Sequence, residues 1–226
     1  MSSDRLLNNQ ESLTEKKTAL QCSKMPTQVI EQVFHIGTLD PGQKGEFSWE
    51  GHGLSISLDP EAWEKIAKLG GFPWWRLQKT GGSFLDYHRL SSFHRGRATR
   101  WGLREGYCVE KTGYEFSYYD DELEDDMRFT YTDRDEALVE AEGVGADEES
   151  VLLTTILVAT DKLRKELHLK VDINCFDQLF CLWAERFTSF DGVWWDDQYG
   201  FMSAPRGVIF PSRLANWERF MIDEAS

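Results

Sequence analysis

The segment "GHGLSISL" sets Leu54, Ile56 and Leu58 against Ser55 and Ser57, an alternation that predicts a half-buried strand. Upstream, "VIEQVFHI" (Val29 to Ile36) is a β-type run, closed by the breakers Pro41, Gly42 and Gly45 of "DPGQKGE". Asp59-Pro60-Glu61 has the composition of a helix start, with an N-cap acid, proline in the first turn and a carboxylate behind it. The helix continues through "PEAWEKIAKLGG", with Trp63, Ile66 and Ala67 on one face and Gly70-Gly71 as the stop. "PWWRLQK" and "FLDYHRL" fit short strands or loops. Tyr114–Tyr119 and Met127–Tyr131 predict two strands around the acidic "DDELEDD".

Farther along, Asp133–Glu142 predicts a short polar helix, followed by a Gly143–Gly145 loop. Val151–Ala159 is apolar except at Thr154 and Thr155, as in a buried strand or helix start. Leu179, Phe180, Leu182, Trp183, Ala184 and Phe187 make Phe176–Phe187 a buried amphipathic helix. "FDGVWWDD" reads as a strand after an Asp-Gly turn, "APRGVIFP" as another, and "RLANWERFMI" as a short terminal helix. Helices and strands intermingle without regular βαβ units, so the expected class is α+β. Residues 1–26 are polar and predict a flexible or loosely docked segment, leaving 27–226 as a single domain.

Composition narrows the function classes. The chain has 226 residues, 41% hydrophobic, with nine tryptophans and a formal charge of −14. Such a charge repels nucleic-acid backbone over most of a surface. One stretch runs against it: His88 to Arg104 holds Arg89, Arg95, Arg97, Arg100 and Arg104 with His88 and His94, either a solvated helix face or an anion site. Cys22, Cys108, Cys175 and Cys181 form neither a C-x-x-C pair nor a zinc pattern, so no metal ligands are expected. Free thiols fit a reducing, cytoplasmic setting. No apolar run has the length of a membrane span, and the polar stretch Met1–Met25 predicts no secretory signal.

Three constellations could carry chemistry. In Phe34-His35-Ile36-Gly37-Thr38, a histidine on a strand precedes a glycine that lets a ligand approach the backbone. The imidazole could donate to a ribose hydroxyl, and the Gly37 backbone could pair with a carboxamide. In Gly53-Leu54-Ser55-Ile56-Ser57, two hydroxyls share one strand face ahead of the Pro60 helix. In Trp194-Trp195-Asp196-Asp197, a carboxylate ends an aromatic strand, where it could stabilise an oxocarbenium ion.

In their order these elements resemble the ADP-ribosyltransferase superfamily, specifically its diphtheria-toxin-like and related bacterial-toxin branches. His35-Ile36-Gly37-Thr38 is similar to that family's first core strand. Gly53 to Ser57 with the Pro60–Ala67 helix resembles its second element, and Trp194 to Asp197, followed by Ser203 to Gly207, its third. The resemblance implies a split mixed or antiparallel sheet core with flanking helices, and NAD as the substrate that donates ADP-ribose. It implies that His35 holds a ribose hydroxyl, that Gly37 and Thr38 recognise the nicotinamide end, and that Ser55 or Ser57 supports the ribose or the acid's strand. Asp197 or Asp196 would stabilise the ribosyl cation, and Arg206 would pair with the pyrophosphate. Serine stands where the family carries tyrosine, and aspartate where it carries glutamate; Trp195, Trp194, Trp63 or Trp49 could supply the stacking ring. The implied role is an intracellular bacterial toxin or effector, with a cognate antitoxin as a partner. The acceptor is expected to be a protein before a nucleic acid, on charge.

The acidic run Asp120 to Asp126 lacks the glycine and alternation of an EF-hand and predicts a solvated hairpin tip. No P-loop, G-x-S-x-G or H-E-x-x-H occurs. The alternative to an enzyme is an acidic, tryptophan-rich binding protein (an antitoxin, inhibitor or nucleic-acid mimic) that neutralises a basic partner.

Overall fold

A computed structural model describes residues 25–40, 52–120, 125–168, 175–195 and 205–222, and two sheets and five α-helices are found among these described residues. The larger sheet takes strands β1 (Thr27–Val29), β2 (Gln32–Ile36), β3 (Leu54–Ser57), β4 (Trp74–Gln78) and β5 (Ser83–Asp86) from the first part of the chain. Strands β9 (Gly192–Trp195), β10 (Arg206–Ile209) and β11 (Glu218–Ile222) come from the last part, and the spatial order is β1-β5-β9-β10-β3-β2-β4-β11. The β5–β9 pair is parallel and the other pairs are antiparallel. Between these parts the chain forms a three-stranded antiparallel sheet with β6 (Cys108–Asp120) between β7 (Asp125–Tyr131) and β8 (Leu152–Ala159). The protein is therefore α+β with a mixed sheet and a smaller antiparallel one.

The centre of the larger sheet is buried on both faces. On one lie helices α2 (Ser92–Glu105) and α5 (Phe176–Phe187), whose Ala98, Trp101, Leu179, Phe180 and Trp183 pack on Leu85, Val193, Trp195 and Val208. On the other, Trp194, Phe84, Val33, Ile56 and Leu77 pack beneath Leu214 of the 3-10 turn Pro211–Asn216 and Trp217. Consecutive strand residues point to opposite faces, so Trp194 and Trp195 enter different cores. Glycine makes the close approaches feasible: a Cβ at Gly102 of α2 would lie 2.6 Å from Leu179 of α5, and one at Gly192 would lie 1.7 Å from the Val208 carbonyl.

Local sequence sets the helix ends. Asp59 caps α1 (Pro60–Ala67), its Oδ1 accepting from the Ala62 amide at 2.9 Å. The helix ends before Gly70-Gly71, because Lys68 turns into the left-handed region at φ 54° and its amide closes on the last carbonyls. Ser91 caps α2, and Gly106 at φ 72° ends it. Asp133 caps α3 (Arg134–Gly143) through the amides of Asp135 and Glu136. Helix α4 (Asp161–Leu167), which the sequence pattern did not reveal, follows β8.

Several expectations are corrected. Val29–Ile36 is two strands, because the Ile30 amide leaves the run to bond the Gly82 carbonyl and β1 joins β5 while β2 joins β4. Ser57 is fully buried and Leu58 is 45% exposed, so the alternation of β3 breaks at its end. "PWWRLQK" contains β4, and "FLDYHRL" is strand only through Asp86, after which Tyr87 to Leu90 turn. "RLANWERFMI" is no helix: after the 3-10 turn, residues 218–222 pair with β4 as the sheet edge. Residues 1–24 and most of the acidic run 120–126 lie outside the described residues. Among the described residues, no helix is long and apolar enough to cross a membrane.

Candidate functional site

Strands β2, β3, β10 and β9 lie side by side, so the three constellations singled out in sequence become neighbours. The junctions are unequal. Strands β10 and β3 pair over four residues, as do β10 and β9, whereas β2 and β3 meet at the single pair Phe34–Ser57. The eight-stranded sheet is continuous, but its ladder narrows to one residue pair at a partial split between β3 and β2.

His35 spans that split. Its Nδ1 lies 2.7 Å from the Ser55 carbonyl oxygen, and its Nε2 lies 2.8 Å from the Thr38 carbonyl oxygen. The imidazole takes up a β3 carbonyl at the point where the ladder between the strands lapses. It can donate to both oxygens only when both ring nitrogens carry protons. The ring is 8% exposed and meets Trp63 of α1 edge-on, with centroids 6.3 Å apart. The turn that follows is fixed by Gly37 at φ 119°, whose carbonyl accepts from Trp75 Nε1 at 2.9 Å. Thr38 is exposed and contributes its backbone oxygen to His35.

The serines differ in their surroundings. Ser57 Oγ donates to the Pro205 carbonyl at 2.7 Å and accepts from the Asp59 amide at 3.0 Å, tying β3 to the entry of β10 and the start of α1. Ser55 is half-buried. Residues directly opposite on antiparallel strands share a face. Arg206 is opposite both Ser57 and Trp195, and Val208 is opposite both Ser55 and Val193. Ser55, Ser57, Arg206 and Trp195 therefore share a face. Phe34 is the β2 residue opposite Ser57, so His35 points to the other side, with Val33. The imidazole reaches the serine strand through its backbone and does not face Trp195.

Sequence reasoning missed Tyr87, which organises the face around Trp195. Its ring centroid lies 5.4 Å from that of Trp195 and 5.5 Å from that of Phe180. The Arg206 guanidinium sits 5.4 Å above the Trp195 ring, and Arg95 of α2 sits 5.8 Å above Tyr87. A cation–ring–ring–cation array results, each outer contact contributing about 0.5–2 kcal/mol. Burial, followed by the charge and hydrogen bond of Asp177, pushes the Tyr87 phenol far above its ordinary value, so it stays protonated. Trp195 Nε1 is buried with no hydrogen-bond partner among the described residues. The one sequence signal for Tyr87 is its place at the end of the apolar run "FLDY". Asp196 and Asp197 follow Trp195 directly and lie outside the described residues, as does Trp49.

Comparison of the chain with protein-family models, with curated proteins and with solved structures finds no match.

Other polar groups around these strands are structural. Asp191 is 3% exposed; it accepts from the Ser83 amide at 2.8 Å and pairs with Lys79. Glu185 of α5 accepts from the Ser212 amide at 2.9 Å and meets His52 Nε2 at 2.6 Å, tying the approach to β3 to the turn after β10. Asp86, 2% exposed, accepts from Gln28 Nε2 and the Arg89 amide. Burial pushes the Cys108 thiol up to about 11 and the Cys175 thiol to about 12, leaving both protonated and poor nucleophiles. Among the described residues, no group of three or more His, Cys, Asp and Glu is placed to hold a metal.

Proposed function

We propose that this protein transfers ADP-ribose from NAD to a macromolecular acceptor. The observation that carries the reading is the adjacency of β2, β3, β10 and β9 around a split bridged by His35. Three segments far apart in sequence bring an imidazole, two serine hydroxyls, a tryptophan and an arginine to neighbouring strands. Arg206, held over Trp195, offers a guanidinium fork for a pyrophosphate, and the buried Trp195 Nε1 offers a donor to an acceptor-rich ligand. His35 points to the other face of the sheet from Arg206 and Trp195, so a bound dinucleotide would have to pass between β2 and β3 for His35 Nε2 to exchange the Thr38 carbonyl for a ribose hydroxyl, while Nδ1 stays on Ser55. The Gly37 backbone, whose amide bonds the Pro73 carbonyl and whose carbonyl accepts from Trp75 Nε1, would have to exchange those partners to recognise the carboxamide. Asp196 or Asp197, next to Trp195 in sequence, would supply the carboxylate that stabilises the ribosyl cation as nicotinamide leaves.

The test is incubation with labelled NAD and a cell extract, measuring label transfer and nicotinamide release. Wild-type protein should label an acceptor, and Asp196→Ala with Asp197→Ala should not. Undiminished nicotinamide release by the double variant would remove the reading.

The tight engagement of the proposed groups favours a second reading: both His35 ring nitrogens sit on backbone carbonyls, and Trp195 is 2% exposed. A binding protein without chemistry, neutralising a basic partner through its acidic surface, fits that packing. Calorimetry separates the two. Micromolar NAD binding supports the transferase; silence toward NAD with tight, salt-sensitive binding to a basic protein supports the binder.

A further inference from the structure

The sign of the charge reverses locally on α2. From His88 to Arg104, seventeen residues carry five arginines and no carboxylate, in a chain with 39 Asp and Glu. Arg89 lies 4.0 Å from Asp86, and Arg104 lies 3.0 Å from Glu105. Arg95, Arg97 and Arg100 meet no carboxylate among the described residues; each sits over a ring instead. Arg97 lies 5.4 Å above Trp183 and Arg100 lies 5.8 Å above Phe93. A guanidinium over a ring keeps its charge and is held in place, while N–H groups at its edge remain able to bond phosphate.

Arg97, Arg100 and Arg104 follow one stripe at helical spacings of three and four, extending about 10 Å along the axis. Arg100 and Arg104 are exposed. Aromatic surface accompanies them. Phe93, one turn before Arg97, is 57% exposed, and Phe187 of α5, packed on Trp101 and Trp183, is 39% exposed. We infer that this α2–α5 ridge binds a short single strand of nucleic acid, its phosphates on the arginine stripe and its bases against Phe93 and Phe187. Guanidinium groups beside exposed rings, those of Arg97 and Arg100 meeting no carboxylate among the described residues and that of Arg104 shared with Glu105, match a ligand with both phosphates and flat faces, whereas an acidic peptide uses only the charges. The strongly acidic composition of the rest of the chain opposes a duplex, whose second strand would carry phosphates beyond the ridge.

The test is fluorescence anisotropy with a fluorescein-labelled single-stranded oligothymidylate and the full chain, without NAD, so the outcome is independent of ADP-ribosyl transfer. Three phosphate contacts to a single strand predict a log–log salt slope of about −2, so affinity falls about 18-fold from 50 to 200 mM salt. Arg97→Ala with Arg100→Ala and Arg104→Ala should weaken binding at least tenfold at 50 mM salt, with the circular dichroism spectrum unchanged. Because Arg97 packs on Trp183, Arg100→Glu with Arg104→Glu is the second variant; it alters exposed positions alone and should abolish binding. Absence of wild-type binding at 50 mM salt, undiminished binding by the double variant, or equal competition by polyglutamate would overturn the inference; the last would assign the ridge to an acidic protein.

Discussion

Replacing Glu185 by glutamine should flatten part of the protein's acid sensitivity. This carboxylate ties three segments around the split sheet: His52 ahead of β3, helix α5, and Ser212 after β10. Burial alone would raise its pKa, but hydrogen bonds from His52 and Ser212 outweigh burial and hold it at about 2 rather than 4.5. A carboxyl with a depressed folded-state value stabilises the fold fully above its unfolded value. That contribution is lost as pH falls through the folded value, here over the window from 4.5 down to 2. At about 1.4 kcal/mol per unit the contribution at neutral pH is about 3 kcal/mol, of which about 2 kcal/mol has gone by pH 3. Urea unfolding followed by tryptophan fluorescence at pH 7, 5, 4 and 3 measures it. The stability difference between wild type and Glu185→Gln should shrink by about 2 kcal/mol from pH 7 to pH 3; glutamine keeps the shape, and the other carboxylates cancel in the difference. A difference that stays constant across that range would refute the coupling of Glu185 to its two donors.

Three further substitutions probe the same framework. His35→Ala leaves the half-buried Ser55 carbonyl without the ring that bonds it, while the carbonyl of exposed Thr38 can turn to water, and should cost about 1–3 kcal/mol in urea unfolding; unchanged stability would show that the ring does not clasp the split. Gly192→Ala places a Cβ 1.7 Å from the Val208 carbonyl and should leave little folded protein by circular dichroism; a melting temperature within a few degrees of wild type would contradict this contact. Lys79→Met removes the partner of the buried Asp191 and should cost about 3–5 kcal/mol, and the double change with Asp191→Asn should recover part of it.

Periodic and capped elements were legible in the sequence, and elements defined by distant partners were not. Phe176–Phe187 matches α5 at both ends, because its apolar face repeats without interruption. The Asp59-Pro60 start of α1 was readable because a cap acts within four residues. β11 was misread: "ERFMI" has no alternation, its residues are mostly exposed, and it is a strand because β4 offers an open edge. The candidate site divides similarly. Arg206 and Trp195 were recognised as ligand-binding types, but their contact depends on the register of β10 against β9. Tyr87 was missed because nothing within "FLDYHRL" reveals that Trp195 and Arg95 come to its ring. Asp191 looked like part of a turn; its role as the buried partner of Lys79 depends on a residue 112 positions away.

The two sides of the split are held by different physics, and this fixes where the sheet can open. β10 is bonded on both edges, to β9 and β3, and Val208 and Ile209 are fully buried, so opening it exposes both cores. β2 keeps a full ladder to β4 but a single bridge to β3, supplemented by the His35 ring. Release of β2 with β4 and β11 would break the Phe34–Ser57 bridge and the His35 bond and uncover Val33 and Leu77 in one core, without unpairing β9 or β10. Hydrogen exchange should therefore show β2 opening at a free energy about 2–4 kcal/mol below that of β10, with His35→Ala widening the gap because the imidazole bond is part of the lower value. Equal protection of β2 and β10, unchanged by the substitution, would mean that the sheet opens as one unit and that a ligand entering between β2 and β3 would have to disrupt the core.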